Sequence, residues 1–302
     1  MPNIPSNLQS FTPRQHMLSA QYEVYHYRDS HLGEVALHHH DFYEIYLFLH
    51  GDVAYTVENR TYPMAPGDLL LISPLELHQP RIRQTDEEYE RMVLWIDRSF
   101  LEQLSTGQTS LTRAFDTGRT GHSNRVRLVP AASRALQSKM ERLAFLSRSG
   151  TYGDDLLALG CFLGILVELN RAAMAAEGSD RQDYVSDRVV DAVLAYINEH
   201  YSEPLTLDAL AERFYISKYH LLRKFSDAVG ATVHRYILQK RLQIARQLLA
   251  DGVPPTEAAF HCGFGDYASF FRAFKAEYAL SPRAYGREAA GGQALPGAPA
   301  AE

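Results

Sequence analysis

Two periodicities divide the pattern of apolar and polar residues along the chain. Between residues 22 and 97 the two kinds of residue alternate in short runs, and a period of two indicates half-buried β-strands. Turn-forming residues such as Gly51 and the Pro66-Gly67 pair separate the runs. Runs this close together leave no room for crossover helices, so they predict an antiparallel sandwich or barrel. The predicted strands are Tyr22 to Tyr27, Glu34 to Leu49, Val53 to Val57, Leu69 to Ile72 and Met92 to Ile96.

Beyond residue 97 apolar residues recur every three or four positions, which indicates amphipathic helices. A short helix near Arg98 to Leu101 ends the sheet region, and longer helices are expected from Pro130 to Leu146 and from Asp154 to Leu169. The polar stretch from Ser105 to Asn124 predicts a surface loop. The uncharged run from Leu156 to Val167 has only 12 residues, fewer than the roughly 18 that span a bilayer, and predicts a buried helix.

The last third of the chain contains a duplicated unit. Residues 217–225 are matched by residues 266–275, with equivalent residues at an offset of 49 positions. Each copy predicts two short helices joined by a tight turn, which is the helix-turn-helix arrangement. The repeated pairs are Leu221 with Phe270, Arg223 with Arg272 and Phe225 with Phe274.

Local signals predict where these helices begin and end. Thr206, Ser217 and Asp266 are expected to cap helices, because short polar side chains accept hydrogen bonds from free backbone N–H groups. Between the two units a helix is expected from Thr232 to Gly252. Its length of about 28 Å approaches the ~34 Å between successive major-groove faces of B-DNA, so it is suited to placing both units in adjacent grooves.

These features resemble the DNA-binding domain of the AraC/XylS family of bacterial transcription regulators. The resemblance covers residues 188–287 and includes Thr206-Leu207, Leu210-Ala211, Gly263-Phe264 and Ser281-Pro282. It implies that double-stranded DNA and RNA polymerase are partners; an all-helical bundle that binds no nucleic acid is the alternative. The residues expected at the DNA are Ser217, Lys218, Tyr219, Leu222, Arg223 and Lys224 in the first unit, and Tyr267, Ser269, Phe271, Arg272 and Lys275 in the second.

Two departures from the family's pattern affect the second unit. Pro254 and Pro255 stand where its first helix is expected to begin, and proline is tolerated in a first turn. Ala279 replaces the usual glycine before Ser281-Pro282, so a left-handed backbone conformation there is expected to be strained.

The net charge of −6 argues against a nucleic-acid partner until it is divided along the chain. Residues 188–288 carry 13 Lys and Arg against 11 Asp and Glu, whereas the remainder carries 17 against 25. The acidic excess therefore lies outside the segment that is expected to contact phosphates.

A histidine-rich run lies in the second predicted strand. Residues of even number share one face of an extended strand, so His38, His40 and Glu44 are expected to point the same way. The run from His38 to Glu44, followed by Gly51, resembles the first motif of the cupin barrel superfamily, and Pro66-Gly67-Asp68 with His78 resembles the second.

The cupin resemblance leaves two kinds of site open. One is a divalent zinc, iron, manganese or nickel ion held by His38, His40, Glu44 and His78. The other is a metal-free pocket for an organic effector, for which aromatic faces beside a carboxylate suit a small polyol or sugar. The residues expected to line it are His38, His40, Glu44, Tyr46, Tyr55, His78 and Trp95.

The sequence thus predicts an α+β protein of two domains, an N-terminal antiparallel β-barrel of cupin type with following helices and an all-α C-terminal domain. The family resemblance implies that the helices after the barrel form a dimer interface, and this reading is favoured over the alternative in which the same apolar stripes pack on the barrel. The expected segments are the barrel at 1–104, a loop and helical dimerisation segment at 105–175, a linker at 176–187, a double helix-turn-helix domain at 188–288 and a disordered tail at 289–302.

Two functions fit this organisation. The first is a ligand-responsive transcriptional regulator, an activator by resemblance, whose barrel senses a small metabolite and which has no catalytic residues. The second is a metal-dependent cupin enzyme that carries a DNA-binding tail. Residues 1–10 have no signal pattern and Cys161 and Cys262 form no disulfide framework, so a cytoplasmic protein without a membrane partner is expected. The family resemblance implies that it is a homodimer.

Overall fold

The computed structural model describes residues 8–9, 16–30, 32, 35–58, 60–74, 76–83, 88–119, 122–176 and 187–291. The first half of the chain is built mainly of strands and the second half of helices. The strands are β1 (Leu8–Gln9), β2 (Tyr22–Asp29), β3 (Tyr43–His50), β4 (Val53–Val57), β5 (Arg60–Pro63), β6 (Asp68–Ile72), β7 (His78–Ile82), β8 (Tyr89–Ile96) and β9 (Arg125–Arg127). The helices are α1 (Arg98–Leu104), α2 (Pro130–Ser149), α3 (Asp154–Ala176), α4 (Arg188–His200), α5 (Leu207–Arg213), α6 (Lys218–Val229), α7 (Val233–Ala250), α8 (Pro255–His261), α9 (Tyr267–Tyr278) and α10 (Pro282–Gly291).

The strands form two sheets, which confirms the antiparallel β architecture of the N-terminal domain. One sheet has six strands in the order β1-β2-β8-β3-β6-β9, and the other has three in the order β5-β4-β7. All neighbouring strands are antiparallel except β1 and β2. Aromatic residues of both sheets, including Tyr46, Tyr55 and Trp95, share one buried cluster. Within the described residues the sheets therefore enclose a core between them without joining into a single closed barrel.

The strand predicted from Glu34 to Leu49 is shorter than expected. It begins at Tyr43, and of residues 35–42, which the structure describes, His38 alone pairs with a strand, through a bridge to His78. His38 N donates to His78 O over 3.1 Å, and His78 N donates to His38 O over 2.8 Å. Because His78 lies in the small sheet and β3 in the large one, the chain passes from one sheet to the other between residues 38 and 43. Continuous pairing within one sheet is not compatible with that crossing.

The region from Ser105 to Asn124 is also more ordered than a surface loop. It contains a 3₁₀ turn at Arg113–Phe115, and Leu111 and Phe115 are buried in the same core as the large sheet. The surface loop was predicted from the polar composition of the segment as a whole, whereas its apolar residues Leu111 and Phe115 are buried.

Helices α2 and α3 form as predicted, but their apolar stripes lie inside the subunit. Leu136 and Met140 of α2 and Phe162 and Ile165 of α3 share a buried cluster with the outer face of the large sheet. The buried residues of these stripes pack on the sheet, so only the exposed surface of the two helices remains available to a partner. By length and composition alone α3 could cross a membrane, and only a third of its most apolar window is buried.

The C-terminal domain has the predicted double helix-turn-helix organisation. Helices α5 and α6 form the first unit, α8 and α9 form the second, and α7 links them. Each expected cap accepts a backbone hydrogen bond: Thr206 from Ala209, Ser217 from His220 and Asp266 from Ser269. Thr232, where the linking helix was expected to start, caps it by accepting from Arg235. Ala279 adopts the left-handed conformation with φ of 55°, where a β-carbon is strained. Of the expected linker, residues 177–186 lie outside the described residues; of the expected tail, residues 289–291 continue α10 and the rest lies outside them.

Candidate functional site

A cavity lies between the two sheets of the N-terminal domain. It comprises about 500 Å³ of empty space, a figure that includes open solvent. Six of the seven residues predicted to line it do so, and the side chain of the seventh, His78, lies behind His38 and His40 with ring centroids 4.3 and 4.7 Å from theirs. The lining residues are Tyr27, Leu32, Val35, His38, His40, Glu44, Tyr46, Tyr55, Pro80, Tyr89, Arg91, Val93 and Trp95.

Imidazoles and a carboxylate form one wall of this cavity. His40 Nε2 lies 3.1 Å from Glu44 Oε2, and Trp95 Nε1 donates to the same oxygen over 2.8 Å. Burial lowers the pKa of His38 and holds the pKa of His78 well below its usual value, so both rings favour the neutral form. Ligand atoms of His40, Glu44 and His78 all lie within 4.8 Å of one another, and this group does not include His38.

The other end of the cavity contains residues that sequence reasoning missed. The Arg91 guanidinium lies 4.1 Å from the centre of the Tyr89 ring and pairs with Asp29. The hydroxyl groups of Tyr46 and Tyr89 are hydrogen-bonded over 2.6 Å. Tyr89 and Arg91 share the parity of Trp95 on β8, so a strand predicted to begin before Met92 would have included them.

The residues expected at DNA lie on the second helix of each unit. Arg223 and Arg272 are both exposed, and Tyr219 exposes 75% of its surface. Lys218 pairs with Asp208, whereas Lys224 is half-buried and pairs with Asp187 at the start of α4. Leu222 and Lys275 are exposed, Ser217 is the exposed cap of α6, and Tyr267, Ser269 and Phe271 are half-buried.

Comparison with known protein families finds a match for each of the two domains. The profile of the AraC-like ligand binding domain matches residues 21–156, and that of a helix-turn-helix domain matches residues 210–288. The chain belongs to the AraC family of transcription regulators. It is therefore a DNA-binding regulator with a ligand-binding domain.

Individual relatives of this AraC-family regulator cover different parts of it. The HTH-type transcriptional activator RhaS of Salmonella arizonae is 29% identical over 251 residues, which are 82% of this chain and 85% of RhaS. Among solved structures, the C-terminal domain of AraT, a response regulator from Geobacillus stearothermophilus, is 29% identical over 33% of this chain and 85% of its own, with a TM-score of 0.33. ToxT from Vibrio cholerae is 14% identical over 90% of this chain and 100% of its own, with a TM-score of 0.36.

In this AraC-family regulator the ligand-binding domain contacts both helix-turn-helix units. Near the first unit, Glu58 accepts a 2.8 Å hydrogen bond from the buried Tyr236 hydroxyl, and Arg81 donates to the carbonyl groups of Ser226 and Asp227 in the last turn of α6. A cation at a helix C-terminus is electrostatically favourable. Leu37 and Leu77 are buried in the core formed by α4, α6 and α7.

A second group of contacts reaches the other unit. Tyr278, the last residue of α9, places its hydroxyl 3.2 Å from His39 Nε2. Arg246 of α7 is buried, with its Nη2 3.7 Å from Asp41 Oδ2 and its guanidinium 5.5 Å from the centre of the Tyr278 ring. The four residues 38–41 therefore face two ways: His38 and His40 line the cavity, and His39 and Asp41 contact the DNA-binding domain.

Proposed function

We propose that this regulator is an effector-responsive transcriptional activator that binds its operator as a homodimer in the cytoplasm. In this proposal residues 1–104 sense a small metabolite, residues 105–175 support dimerisation, residues 176–187 link the two halves, and residues 188–288 bind DNA and present a surface to RNA polymerase. The observation that carries the proposal is the two-faced segment His38 to Asp41, which touches the cavity on one side and the DNA-binding domain on the other.

The cavity suits a small, neutral, polyhydroxylated ligand. Tyr46, Tyr55 and Trp95 offer aromatic faces, and Glu44 with His40 offers groups that bond hydroxyls. Arg91 is already paired with Asp29, so its charge is balanced and the cavity favours a neutral ligand over an anion. A small polyol or sugar has this combination of apolar faces and hydroxyl groups.

Operator binding is proposed to use one recognition helix from each unit. Helix α7, which lies between them, has 18 residues and therefore spans about 27 Å, compared with the ~34 Å repeat of the major groove. Arg223 and Arg272 occupy equivalent positions on α6 and α9 and are exposed, so each is available for a guanine edge or a phosphate.

The proposed dimer uses the exposed surface of α2 and α3 instead of their buried stripes. Phe145, Tyr152, Leu156 and Leu157 expose between 44% and 104% of their surface around the α2–α3 turn. Apolar side chains grouped in this way are covered in soluble proteins by a partner surface. In a symmetric dimer the same surface of a second copy of the chain covers these side chains.

The effector is proposed to act on DNA binding through the domain contact. A ligand in the cavity cannot touch DNA, so it must bind unequally to two arrangements of the domains, which typically couples the sites by ~1–3 kcal/mol. Displacement of His38 or His40 by a ligand moves the backbone that also carries His39 and Asp41. The contacts to Tyr278 and Arg246 then change with the ligand.

A thermal-shift screen followed by gel-mobility assays tests this function. Full-length protein is heated with neutral sugars and polyols, and a ligand of the folded state raises the melting temperature. The ligand found is then expected to change the affinity for promoter DNA by about 5- to 150-fold. A ligand that stabilises the protein but leaves both operator affinity and transcription unchanged would contradict the proposed function.

A further inference from the structure

The small sheet has the cavity on one face and a recognition helix on the other. Tyr55 and Pro80 lie opposite each other on β4 and β7, and both line the cavity. Side chains alternate between the two faces of a sheet, so Thr56, Gln79 and Arg81 point away from the cavity. The last turn of α6 lies against this outer face. Only one sheet therefore separates the cavity from the end of the first recognition helix.

Three backbone carbonyl groups in the last turn of α6 accept hydrogen bonds from this outer face. Arg81 Nη1 donates to Asp227 O, and Arg81 Nη2 donates to Ser226 O over 3.4 Å. Thr61 Oγ1, on β5, donates to Ala228 O over 3.4 Å. The last carbonyl groups of an α-helix lack partners within the helix, and a cation near them is favourable. The sensor domain thus caps the C-terminal end of α6 from outside the DNA-binding domain.

Gly230, which follows α6, fits closely against the same surface. Its backbone is left-handed, with φ of 80°. A β-carbon at this position would overlap Gln79 Oε1 and would lie 3.3 Å from Arg81 Nη2. Glycine is therefore required here for two reasons, the backbone conformation and the close approach of the sensor domain.

The contact leaves the DNA-facing side of α6 accessible. Arg223 and Leu222 are exposed and Tyr219 exposes 75% of its surface, while Arg81 holds the end of the same helix. Operator binding by the first unit is thus compatible with the domain contact. The sensor reaches the second recognition helix, α9, through the side-chain hydroxyl of Tyr278.

We propose that Arg81 is a positioning residue for DNA recognition. It holds the C-terminal end of α6 against the small sheet and so sets the direction in which this helix meets the operator. Anchoring the helix in advance reduces the conformational freedom that is lost on binding. The first unit therefore depends on the sensor domain to read its part of the operator, and the second unit depends on it less. The inference rests on the proposed operator binding by α6 and α9.

Hydroxyl-radical footprinting of the full-length protein on promoter DNA tests this role. Loss of protection in Arg223→Ala and in Arg272→Ala first assigns one part of the footprint to α6 and the other to α9. Arg81→Ala is then expected to require about 5- to 30-fold more protein to protect the α6 part, the range for losing a partly buried cation at a helix C-terminus. The α9 part should change less. Arg81→Lys keeps the cation and is expected to restore most of the protection.

Two matched controls separate positioning from general stability. Arg83→Ala removes the same charge two residues further along, where Arg83 pairs with Asp52, and should leave both parts of the footprint unchanged. Gly252→Ala is compared with Gly230→Ala, because Gly252 has a similar φ of 86° but open space around an added β-carbon. Both changes carry the left-handed strain and should lower the melting temperature. Only Gly230→Ala also meets Gln79, so only it should weaken the α6 part of the footprint.

Hydrogen exchange followed by mass spectrometry tests the cap without DNA. In Arg81→Ala the amides in the last turn of α6 are expected to exchange at least about fivefold faster than in the wild type, because that turn opens more often. The last turn of α9 should not change. If Arg81→Ala does not fold, Gly230→Ala compared with Gly252→Ala provides the same two measurements.

Three results would overturn the inference. Unchanged exchange in the last turn of α6 would mean that Arg81 does not cap the helix. Wild-type protection in Arg81→Ala, or equal weakening of both parts of the footprint, would exclude the positioning role. An unchanged footprint in Arg223→Ala and Arg272→Ala would instead refute the proposed operator contacts, and the positioning role with them, whatever hydrogen exchange reveals about the cap.

Discussion

Asp41 of the sensor domain and Arg246 of α7 form an ion pair across the domain boundary, with 3.7 Å between Oδ2 and Nη2. Arg246 is almost fully buried, whereas the Asp41 side chain is half-exposed. The buried cation belongs to the helix that carries both DNA-binding units, and its partner belongs to the segment that lines the cavity. The pair therefore joins the two domains directly.

Asp41→Asn is expected to weaken the coupling between effector and operator. It removes the charge that faces Arg246 with little change of shape, and a partly exposed ion pair contributes up to about 1 kcal/mol. The ratio of operator affinities with and without effector should therefore shrink by up to about fivefold. Fluorescence anisotropy with labelled operator measures both affinities. Asp52→Asn is the control, because Asp52 pairs with Arg83 on the sensor surface, and an equal loss there would remove the special role of Asp41.

Arg223→Ala and Arg272→Ala are each expected to weaken operator binding by ~1–3 kcal/mol. Neither arginine forms an ion pair among the described residues, so the melting temperature should stay near that of the wild type. Arg98→Ala controls for the change in net charge, since Arg98 lies on α1 of the sensor domain. Lost stability with unchanged operator affinity would assign the two arginines a structural role instead.

Glu44→Gln is expected to abolish most of the response to effector. The change removes a buried charge that binds His40 and Trp95 and that faces the cavity, while the side chain keeps its shape. Promoter activity in a reporter strain is measured over a range of effector concentrations. Glu90→Gln, outside the cavity, should respond as the wild type does. Full induction in Glu44→Gln would move the effector site elsewhere.

Leu156→Glu is expected to weaken self-association at least about tenfold, because it places a charge on the exposed apolar surface around the α2–α3 turn. Leu156 exposes 70% of its surface, so the fold of the subunit should not change. Sedimentation velocity over a range of concentrations measures the dimer. Leu18, exposed to 73%, provides Leu18→Glu as the control. A dimer of unchanged stability in Leu156→Glu would exclude this surface as the interface.

Ala279→Gly is expected to raise the stability of the DNA-binding domain by roughly 0.5–1 kcal/mol. Ala279 ends α9 in the left-handed conformation, which glycine adopts without strain from a β-carbon. Ala273→Gly, inside α9, is the opposite control and should destabilise by about 1 kcal/mol. Urea unfolding followed by circular dichroism compares the two. Destabilisation by both changes would mean that the backbone at Ala279 is not strained.

The helical half could be predicted closely because its signals are local. Thr206, Ser217 and Asp266 all cap helices in the structure as the sequence indicated. A cap depends on one side chain and on the backbone three residues away, so a short stretch of sequence is enough to predict it.

The sheets could be predicted less well, because strand pairing depends on distant residues. Strand β7 has the sequence His-Gln-Pro-Arg-Ile, in which no apolar alternation is visible. Its Pro80 is tolerated because β7 lies at the edge of the small sheet. The strand exists through its pairing with β4, and it brings His78 behind the cavity. The contacts between the two domains could not be predicted for the same reason, because residues such as Glu58 and Tyr236 are 178 positions apart in the chain.

The alternating directions of His38, His39, His40 and Asp41 have a consequence for how such a regulator changes over time. Under the proposed function, the residues that contact the effector and the residues that pass its binding to the DNA-binding domain are adjacent in the sequence. Transplanting this tetrapeptide between related proteins should carry both properties together. A biosensor built on this scaffold will therefore need its dynamic range retuned, at the surface facing α7 and α9, each time its inward-facing histidines are replaced.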